Sequence, residues 1–127
     1  MITGLGIDSI EIARVAQKCG NADSRFAEKM FTPAERERAA QKLHTPYEHL
    51  AACFAAREAF FKATQIWYTR SQVSVGQHAS GEPYYILAPE IAAQLGARRV
   101  LLSLTHDRTH ATAVCICEDT GAAAVQP

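Results

Sequence analysis

The sequence lacks an excess of charge of either sign, and it lacks any long apolar run. Its 127 residues hold 13 Lys and Arg against 13 Asp and Glu, so no global positive field is available to bind nucleic acid or an anionic membrane. An acidic partner would have to meet a local basic patch. No stretch approaches the roughly 20 apolar residues of a membrane span, and the start, "MITGLGIDSI", does not resemble a secretory leader. We therefore expect a cytoplasmic protein that binds neither nucleic acid nor membrane.

Cysteine is scarce, and internal repeats and low-complexity linkers are absent. The four cysteines are Cys19, Cys53, Cys115 and Cys117. They are too few and too scattered for a disulfide framework, and Cys-x-Cys is not a zinc spacing, so we expect reduced thiols, mostly in the core. A chain that is 48% hydrophobic and 20% charged suits one globular domain. We place that domain at residues 1–118 and expect residues 119–127 to form a flexible tail.

Capping signals predict the helices. Thr-Pro-x-Glu occurs twice, from Thr32 and from Thr45, and each copy puts Thr at the N-cap, Pro at the first helical position and Glu at the third. Each copy predicts a helix start, and the second helix is long. Shorter helices are predicted in "IARVAQKC", ending near Gly20, in "SRFAEKMF", and from Pro89 to Leu95, where Gly96 stops the helix.

Alternating and β-branched runs predict the strands. "ITGLGID" predicts a first strand closed by Asp8. "SQVSVGQ" and "PYYIL" flank the turn-rich "HASGE" and predict a hairpin, while "RRVLLSLTH" and "ATAVCICE" predict a second antiparallel pair. The fold class is therefore α+β, a single domain in which an antiparallel sheet packs against the long central helix.

One stretch of the long helix, "FAAREAFFKAT" from Phe54 to Thr64, carries charges among apolar residues. At about 100° per residue, Glu58 and Lys62 fall inside the arc that should face the core. An ion pair one turn apart contributes only a few tenths of a kcal/mol, whereas charges at the edge of apolar packing are costly to desolvate unless something binds them. The helix alone leaves two interpretations open, a plain ion pair or a site for a metal or a phosphate.

A set of motifs spans nearly the whole chain. They are Gly6-Ile7-Asp8 after the first strand, Arg25-Phe26, Phe31-Thr32-Pro33-x-Glu35, Phe54-Ala55-Ala56-Arg57-Glu58-Ala59-x-x-Lys62, Gly81-Glu82-Pro83 and Ser103-Leu104-Thr105-His106. Single motifs are weak signals, but this order and spacing resemble the holo-acyl-carrier-protein synthase family of phosphopantetheinyl transferases. Members of that family move the phosphopantetheine arm of coenzyme A onto a serine of an apo acyl carrier protein and release 3′,5′-ADP.

The resemblance implies a role for the charges of the long helix. Asp8 and Glu58 would bind Mg²⁺, which takes one or two carboxylates together with substrate phosphates and water. Lys62 would bind a phosphate oxygen of coenzyme A. Glu58 and Lys62 would be the catalytic residues, because displacement at phosphorus depends mostly on positioning and charge neutralisation. The serine proton would leave either to a metal-bound water or to Glu58, and the residues do not choose between them.

The resemblance also implies contacts for more peripheral residues. Arg14, Lys18 and Arg25 would dock the acidic recognition helix of the carrier protein, with a solvated basic face as the ordinary alternative. His106 would contact coenzyme A, or else it is a loop-edge histidine in solvent. Phe54 is interpreted as a core residue rather than a seat for the carrier protein.

Family members of this short type are commonly trimers with active sites between subunits. The sequence gives a reason of its own, because the two faces of apolar strands such as "VLLSL" and "AVCIC" are hard to cover with so few helices. A closed ring of chains would cover such a surface. We therefore expect a homotrimer in which His106 or nearby groups complete the site of a neighbour.

The sequence departs from the family pattern at four places. Cys53 stands where a basic residue is usual, Arg57 where Lys is usual, and Leu101 where His is often found. After Lys62 the chain has no glycine until Gly76, whereas family members commonly have a glycine-rich turn whose amides approach the phosphates. The alternative is a non-catalytic descendant that binds coenzyme A or a carrier protein, but such a protein would not need the two carboxylates and the lysine together.

Overall fold

A computed structural model of the chain describes residues 1–20, 24–42, 44–69 and 71–121. The elements in chain order are β1 (Ile2–Glu11), α1 (Ile12–Cys19), α2 (Arg25–Met30), α3 (Pro33–Ala40), α4 (Pro46–Thr64), β2 (Val73–Gln77), β3 (Pro83–Leu87), α5 (Pro89–Leu95), β4 (Arg98–His106) and β5 (His110–Asp119). Over the described residues, no helix combines the length and the apolar character that a bilayer crossing needs.

The strands form two antiparallel sheets, and the predicted α+β class is confirmed. A three-stranded sheet has the order β1-β5-β4, while β2 and β3 pair in a separate hairpin. Side chains of β5 alternate between a buried face with Ala113, Cys115 and Cys117 and a half-exposed face with Val114 and Ile116. The rest of the domain therefore covers one face of the sheet and leaves the other open.

Helix α4 lies directly on the covered face of the sheet because the contacting residues are small. A Cβ atom added to Gly4 would lie 1.8 Å from the carbonyl oxygen of Ala63, and one added to Gly6 would lie 2.0 Å from that of Ala59. Any side chain at these two positions would push the helix away, so only glycine allows this approach. The backbone of β1 thus touches the backbone of α4 over the last two turns of the helix.

A buried ion pair that the sequence analysis missed joins α3, α4 and β2. Arg57 pairs with Glu35, and their side chains are 5% and 1% exposed. The Nε of Arg57 donates to the Val73 carbonyl oxygen at 2.8 Å, and the Val75 amide donates to Glu35 at 3.1 Å. Glu35 also accepts from the Thr32 amide at 3.0 Å, which completes the capping box predicted for α3. One carboxylate therefore caps a helix and anchors two other elements.

Most predicted elements are confirmed, but two predictions were wrong in detail. β1 does not close at Asp8 and continues to Glu11, because its pairing with β5 persists to that residue. Thr45 precedes α4 but makes no side-chain capping bond. The carboxylate of Glu48, which the motif assigned to that cap, lies 3.6 Å from Nδ1 of His106 instead. The second Thr-Pro-x-Glu motif therefore marks the start of the helix without forming a capping box.

The cysteines are as the sequence predicts, and the last strand extends slightly beyond the predicted domain end. All four cysteines are free, and three of them are buried, as predicted. β5 runs to Asp119, and the Thr120 amide donates to the Ala97 carbonyl oxygen at 3.1 Å. Residues 122–127 of the predicted tail lie outside the described residues. The division at residue 118 therefore stays a prediction.

Candidate active site

Asp8 lies half-buried on the covered face of β1, the face that packs against α4. It shares that face with Gly6, since alternate residues of a strand point the same way. Lys62 reaches the same point from the end of α4: its Nζ lies 3.2 Å from Oδ1 of Asp8 and donates to the Ile7 carbonyl oxygen at 2.9 Å. Lys62 thus pairs with Asp8. The pair with Glu58 that the helix alone allowed does not form among the described ion pairs.

Glu58 is half-buried one turn before Lys62. Burial raises the pKa of its carboxyl group above the usual range, the nearby carboxylate of Asp8 raises it further, and Lys62 opposes the shift. Two carboxylates that repel each other at a partly desolvated position favour a bound proton or a bound cation. The arrangement of Asp8 and Glu58 is therefore suited to a positively charged ligand.

These side chains line a cavity of about 270 Å³, which we call the carboxylate cleft. Its walls include Asp8, Ile10, Arg14, Lys18, Phe54 and Glu58. Of the predicted docking residues, Arg14 and Lys18 therefore lie beside the carboxylates, whereas Arg25 is exposed at the start of α2 and is not part of the wall. Phe54 packs against the core, as expected, and also lines the cleft.

His106 does not reach the carboxylate cleft within one chain. It lies at the end of β4 and lines a different cavity, of about 220 Å³, together with Lys42 and His49. Glu48, whose carboxylate lies 3.6 Å from the His106 ring, comes ten residues before Glu58 on α4, which corresponds to about 15 Å along a helix. A contact between His106 and a ligand of the cleft would need a second chain or a ligand that spans this distance.

The donor set of the cleft suits a hard cation. Asp8 and Glu58 offer carboxylate oxygens, and no His or Cys is found among the described residues of its wall. The described parts of the chain also hold no group of three or more His, Cys, Asp or Glu placed to bind a metal. Mg²⁺ does not require such a group, because it is commonly held by one or two carboxylates with substrate phosphates and water. The residues present therefore fit Mg²⁺, and Asp8 and Glu58 would be the residues that hold it.

The segment after Lys62 ends the helix without glycine. Gln65 adopts the left-handed conformation, with φ of 59°, and its amide donates to the Phe61 carbonyl oxygen at 2.7 Å. Glycine is the common residue at such a helix end. Trp67 and Tyr68 follow, and the Trp67 ring centroid lies 4.5 Å from that of Phe61. The missing glycine was evident from the sequence, whereas these aromatic residues were not predicted as part of a site; their signal was the "IWY" run just after the end of α4.

Comparisons with known proteins agree with this fold. A family model described as the 4′-phosphopantetheinyl transferase superfamily matches residues 4–115. The holo-[acyl-carrier-protein] synthase of Chlamydia trachomatis serovar L2 is 40% identical over 118 residues, which cover 91% of this chain and 98% of that protein. The chain belongs to the 4′-phosphopantetheinyl transferase superfamily and, within it, to the holo-[acyl-carrier-protein] synthase family of enzymes.

Two solved structures share the fold. The ACPS–CoA complex of Chronobacterium ammoniagenes is 30% identical with a TM-score of 0.79, and the match covers 92% of this chain and 97% of that chain. The holo-[acyl-carrier-protein] synthase of Neisseria meningitidis is 28% identical with a TM-score of 0.81, and the match covers 93% of this chain and 99% of that chain. The likeness in fold therefore extends over nearly the whole chain.

Proposed function

We propose that this chain transfers the 4′-phosphopantetheine arm of coenzyme A to a serine of an apo acyl carrier protein and releases 3′,5′-ADP. One observation carries the proposal: Asp8, Glu58 and Lys62 converge from two elements whose backbones are in contact. In this reaction the serine Oγ–H bond breaks, a bond forms from Oγ to phosphorus, and the bond from phosphorus to the ADP oxygen breaks. The name of the Chlamydia relative and the coenzyme A complex of the Chronobacterium protein support these substrates.

Each of the three residues has a proposed role. Lys62 binds a phosphate oxygen of the donor, since its side chain is 50% exposed and a lysine on its flexible stem can turn from Asp8 to a phosphate. The serine proton would leave to Glu58 or to a water molecule beside it, since a serine that attacks the bound phosphate has to dock next to this carboxylate. Asp8 and Glu58 also hold Mg²⁺, which when bound supplies neutralisation of the phosphate charge.

The basic wall of the carboxylate cleft is proposed to receive the carrier protein. Arg14 and Lys18 are exposed, lie four residues apart on α1 and therefore share one side of that helix. An acidic helix docked there would bring its serine next to the two carboxylates. Arg25 would extend the same basic surface away from the cleft. Steering of this kind acts on association and is screened by salt.

The open face of the three-stranded sheet supports a homotrimer. An apolar stripe crosses all three strands and consists of Leu5, Ile7, Leu101, Val114 and Ile116. Leu5 is 66% exposed and Ile7 is 59% exposed, which is unusual for apolar side chains that lie side by side. The same stripe on neighbouring chains would cover it in a closed ring. In that ring, His106 of one chain would contact coenzyme A bound at Asp8 and Glu58 of another.

The mass of an apo carrier protein after incubation with this chain, coenzyme A and Mg²⁺ tests the proposed function. The expected result is a gain equal to the phosphopantetheine arm, with 3′,5′-ADP as the second product. Coenzyme A binding without any gain in mass would instead favour the alternative, a non-catalytic protein that binds coenzyme A or the carrier.

Assembly is tested separately by sedimentation equilibrium at micromolar concentration. The expected result is a species of three times the chain mass. A single species at the monomer mass that still transfers the arm would refute both the trimer and the site shared between chains.

A further inference from the structure

The ammonium group of Lys62 lies on the carboxylate of Asp8. Its Nζ is 3.2 Å from Oδ1 of Asp8 and also donates to the Ile7 carbonyl oxygen at 2.9 Å. A lysine ammonium has three N–H bonds to donate, so most of its donor capacity is directed to this part of β1. A metal ion that binds the same carboxylate oxygen would have to displace Lys62 from it.

The charge of Lys62 acts on both carboxylates of the cleft. Besides its ion pair with Asp8, it opposes the rise in the pKa of the Glu58 carboxyl group that burial and Asp8 cause. Like charges repel, so the same ammonium group disfavours any second cation next to Asp8 and Glu58. With Lys62 in this position, the two carboxylates lose much of their combined attraction for a divalent ion.

The contact between Lys62 and Asp8 is open to exchange. The side chain of Lys62 is 50% exposed and that of Asp8 is 19% exposed, and exposed pairs of this kind contribute little to stability. A lysine on its flexible stem can also reach other acceptors nearby. Because a pyrophosphate offers several charged oxygens and Asp8 a single carboxylate, a donor bound in the cleft would draw Lys62 away from Asp8.

We propose that the contact between Lys62 and Asp8 is autoinhibitory: Lys62 blocks the binding of a divalent metal at Asp8 until the pyrophosphate of the donor draws the lysine away. This inference rests on the proposed function, which supplies the metal and the donor. In the absence of a donor the cleft binds Mg²⁺ weakly. Coenzyme A and Mg²⁺ raise each other's affinity by the same factor, as linkage requires.

Metal and donor would also cooperate if they simply touched each other, because Mg²⁺ commonly binds substrate phosphates directly. The two origins of cooperativity differ when no donor is present. A direct contact between metal and phosphate makes no prediction for the chain alone, whereas the autoinhibitory contact predicts that the loss of Lys62 improves metal binding. Binding of the metal alone therefore separates the two.

Titration with Mn²⁺ tests the inference, because Mn²⁺ suits carboxylate sites and electron paramagnetic resonance measures the free ion without any turnover. In the absence of coenzyme A, Lys62→Ala should bind Mn²⁺ about tenfold more tightly than the unsubstituted chain, since a unit charge a few ångström from a divalent ion has an effect of this size in water. Lys62→Arg, which keeps the charge, should bind Mn²⁺ as weakly as the unsubstituted chain.

Lys18→Ala is the matched control, because Lys18 lines the same cleft. Its Nζ lies over the Phe26 ring, 5.0 Å from the ring centroid, and among the described residues it forms no ion pair with a carboxylate. Its removal should change the Mn²⁺ affinity less than about twofold, since exposed charges at a distance are screened. Addition of Glu58→Gln to Lys62→Ala should abolish the gain, which would place the ion at the carboxylates.

Three results would overturn the inference. These are equal Mn²⁺ affinities of the unsubstituted chain and Lys62→Ala, no measurable binding by either protein, and an equal gain for Lys18→Ala, which would reveal a general effect of charge. A second titration with coenzyme A present should raise the Mn²⁺ affinity of the unsubstituted chain about tenfold more than that of Lys62→Ala. Neither titration contains carrier protein, so a failure of transfer would refute the proposed function, while the metal-only titration would still decide the role of Lys62.

Discussion

Removal of one partner of the buried pair Glu35 and Arg57 should destabilise the whole domain. Glu35→Gln keeps the size of the side chain but leaves a guanidinium that is 5% exposed without a counter-ion. An uncompensated buried charge of this kind costs about 3–5 kcal/mol, a large part of the roughly 5–15 kcal/mol that stabilises a typical domain. At about 4 °C per kcal/mol for a chain of this size, Tm should fall by about 12–20 °C.

Thermal unfolding followed by circular dichroism measures this change, with an exposed ion pair as the control. Glu118→Gln breaks the pair with Arg99, whose side chain is 61% exposed, and should cost less than about 1 kcal/mol. Replacement of the buried pair by apolar residues, Glu35→Leu with Arg57→Met, should recover only part of the loss, because the amides of Thr32 and Val75 lose their acceptor. Equal losses of Tm for Glu35→Gln and Glu118→Gln would refute the view that the buried pair anchors three elements.

Four further predictions concern the site. Glu58→Gln should abolish transfer. The same variant should also change stability: because the pKa of Glu58 is raised in the folded chain, the ionised carboxylate opposes folding above that pKa. In the absence of Mg²⁺, the variant should therefore be more stable than the parent at about pH 7 and equally stable at about pH 3, below the unfolded pKa. A stability difference that does not change with pH would contradict this. Lys62→Ala should lower kcat/KM for coenzyme A at least about tenfold with little change in Tm, since an exposed pair contributes at most about 1 kcal/mol. If the variant instead unfolds while activity per folded molecule stays intact, the role of Lys62 is limited to its ion pair with Asp8. Arg14→Glu should raise KM for the carrier protein, less so at high salt, and leave KM for coenzyme A unchanged; equal effects on both substrates would argue against docking on α1. Gly6→Ala should lower the free energy of unfolding by about 1–3 kcal/mol and also lower kcat, since its Cβ would lie 2.0 Å from the Ala59 carbonyl oxygen. Unchanged unfolding and unchanged turnover would show that β1 and α4 are not in fixed contact.

Elements with a strong local signal could be predicted from the sequence. The Thr32 capping box and the stop at Gly96 are set by residues within one turn, and both are found as expected. The β2–β3 hairpin and the β4–β5 pair follow from alternation and short turns, and both are confirmed. Glu58 also stood out, because a carboxylate on an apolar helix face is costly unless it is bound.

The partners of the charged residues could not be predicted, because they come from distant parts of the chain. Lys62 was expected to face a phosphate, but its contact with Asp8 depends on how closely β1 approaches α4. The capping box revealed one contact of Glu35, whereas its pairing with Arg57 crosses 22 residues of sequence. Local patterns therefore indicated which residues were unusual and did not identify the groups they contact.

The contact between Gly6 and α4 has a consequence for how the enzyme tolerates sequence change. Backbone meets backbone there, so no exchangeable side chain sets the separation of strand and helix. Substitutions elsewhere in the core can then alter stability while the approach of β1 to α4 stays constant. A library of core variants could therefore be selected for thermal stability without a parallel selection for the separation of this strand and helix.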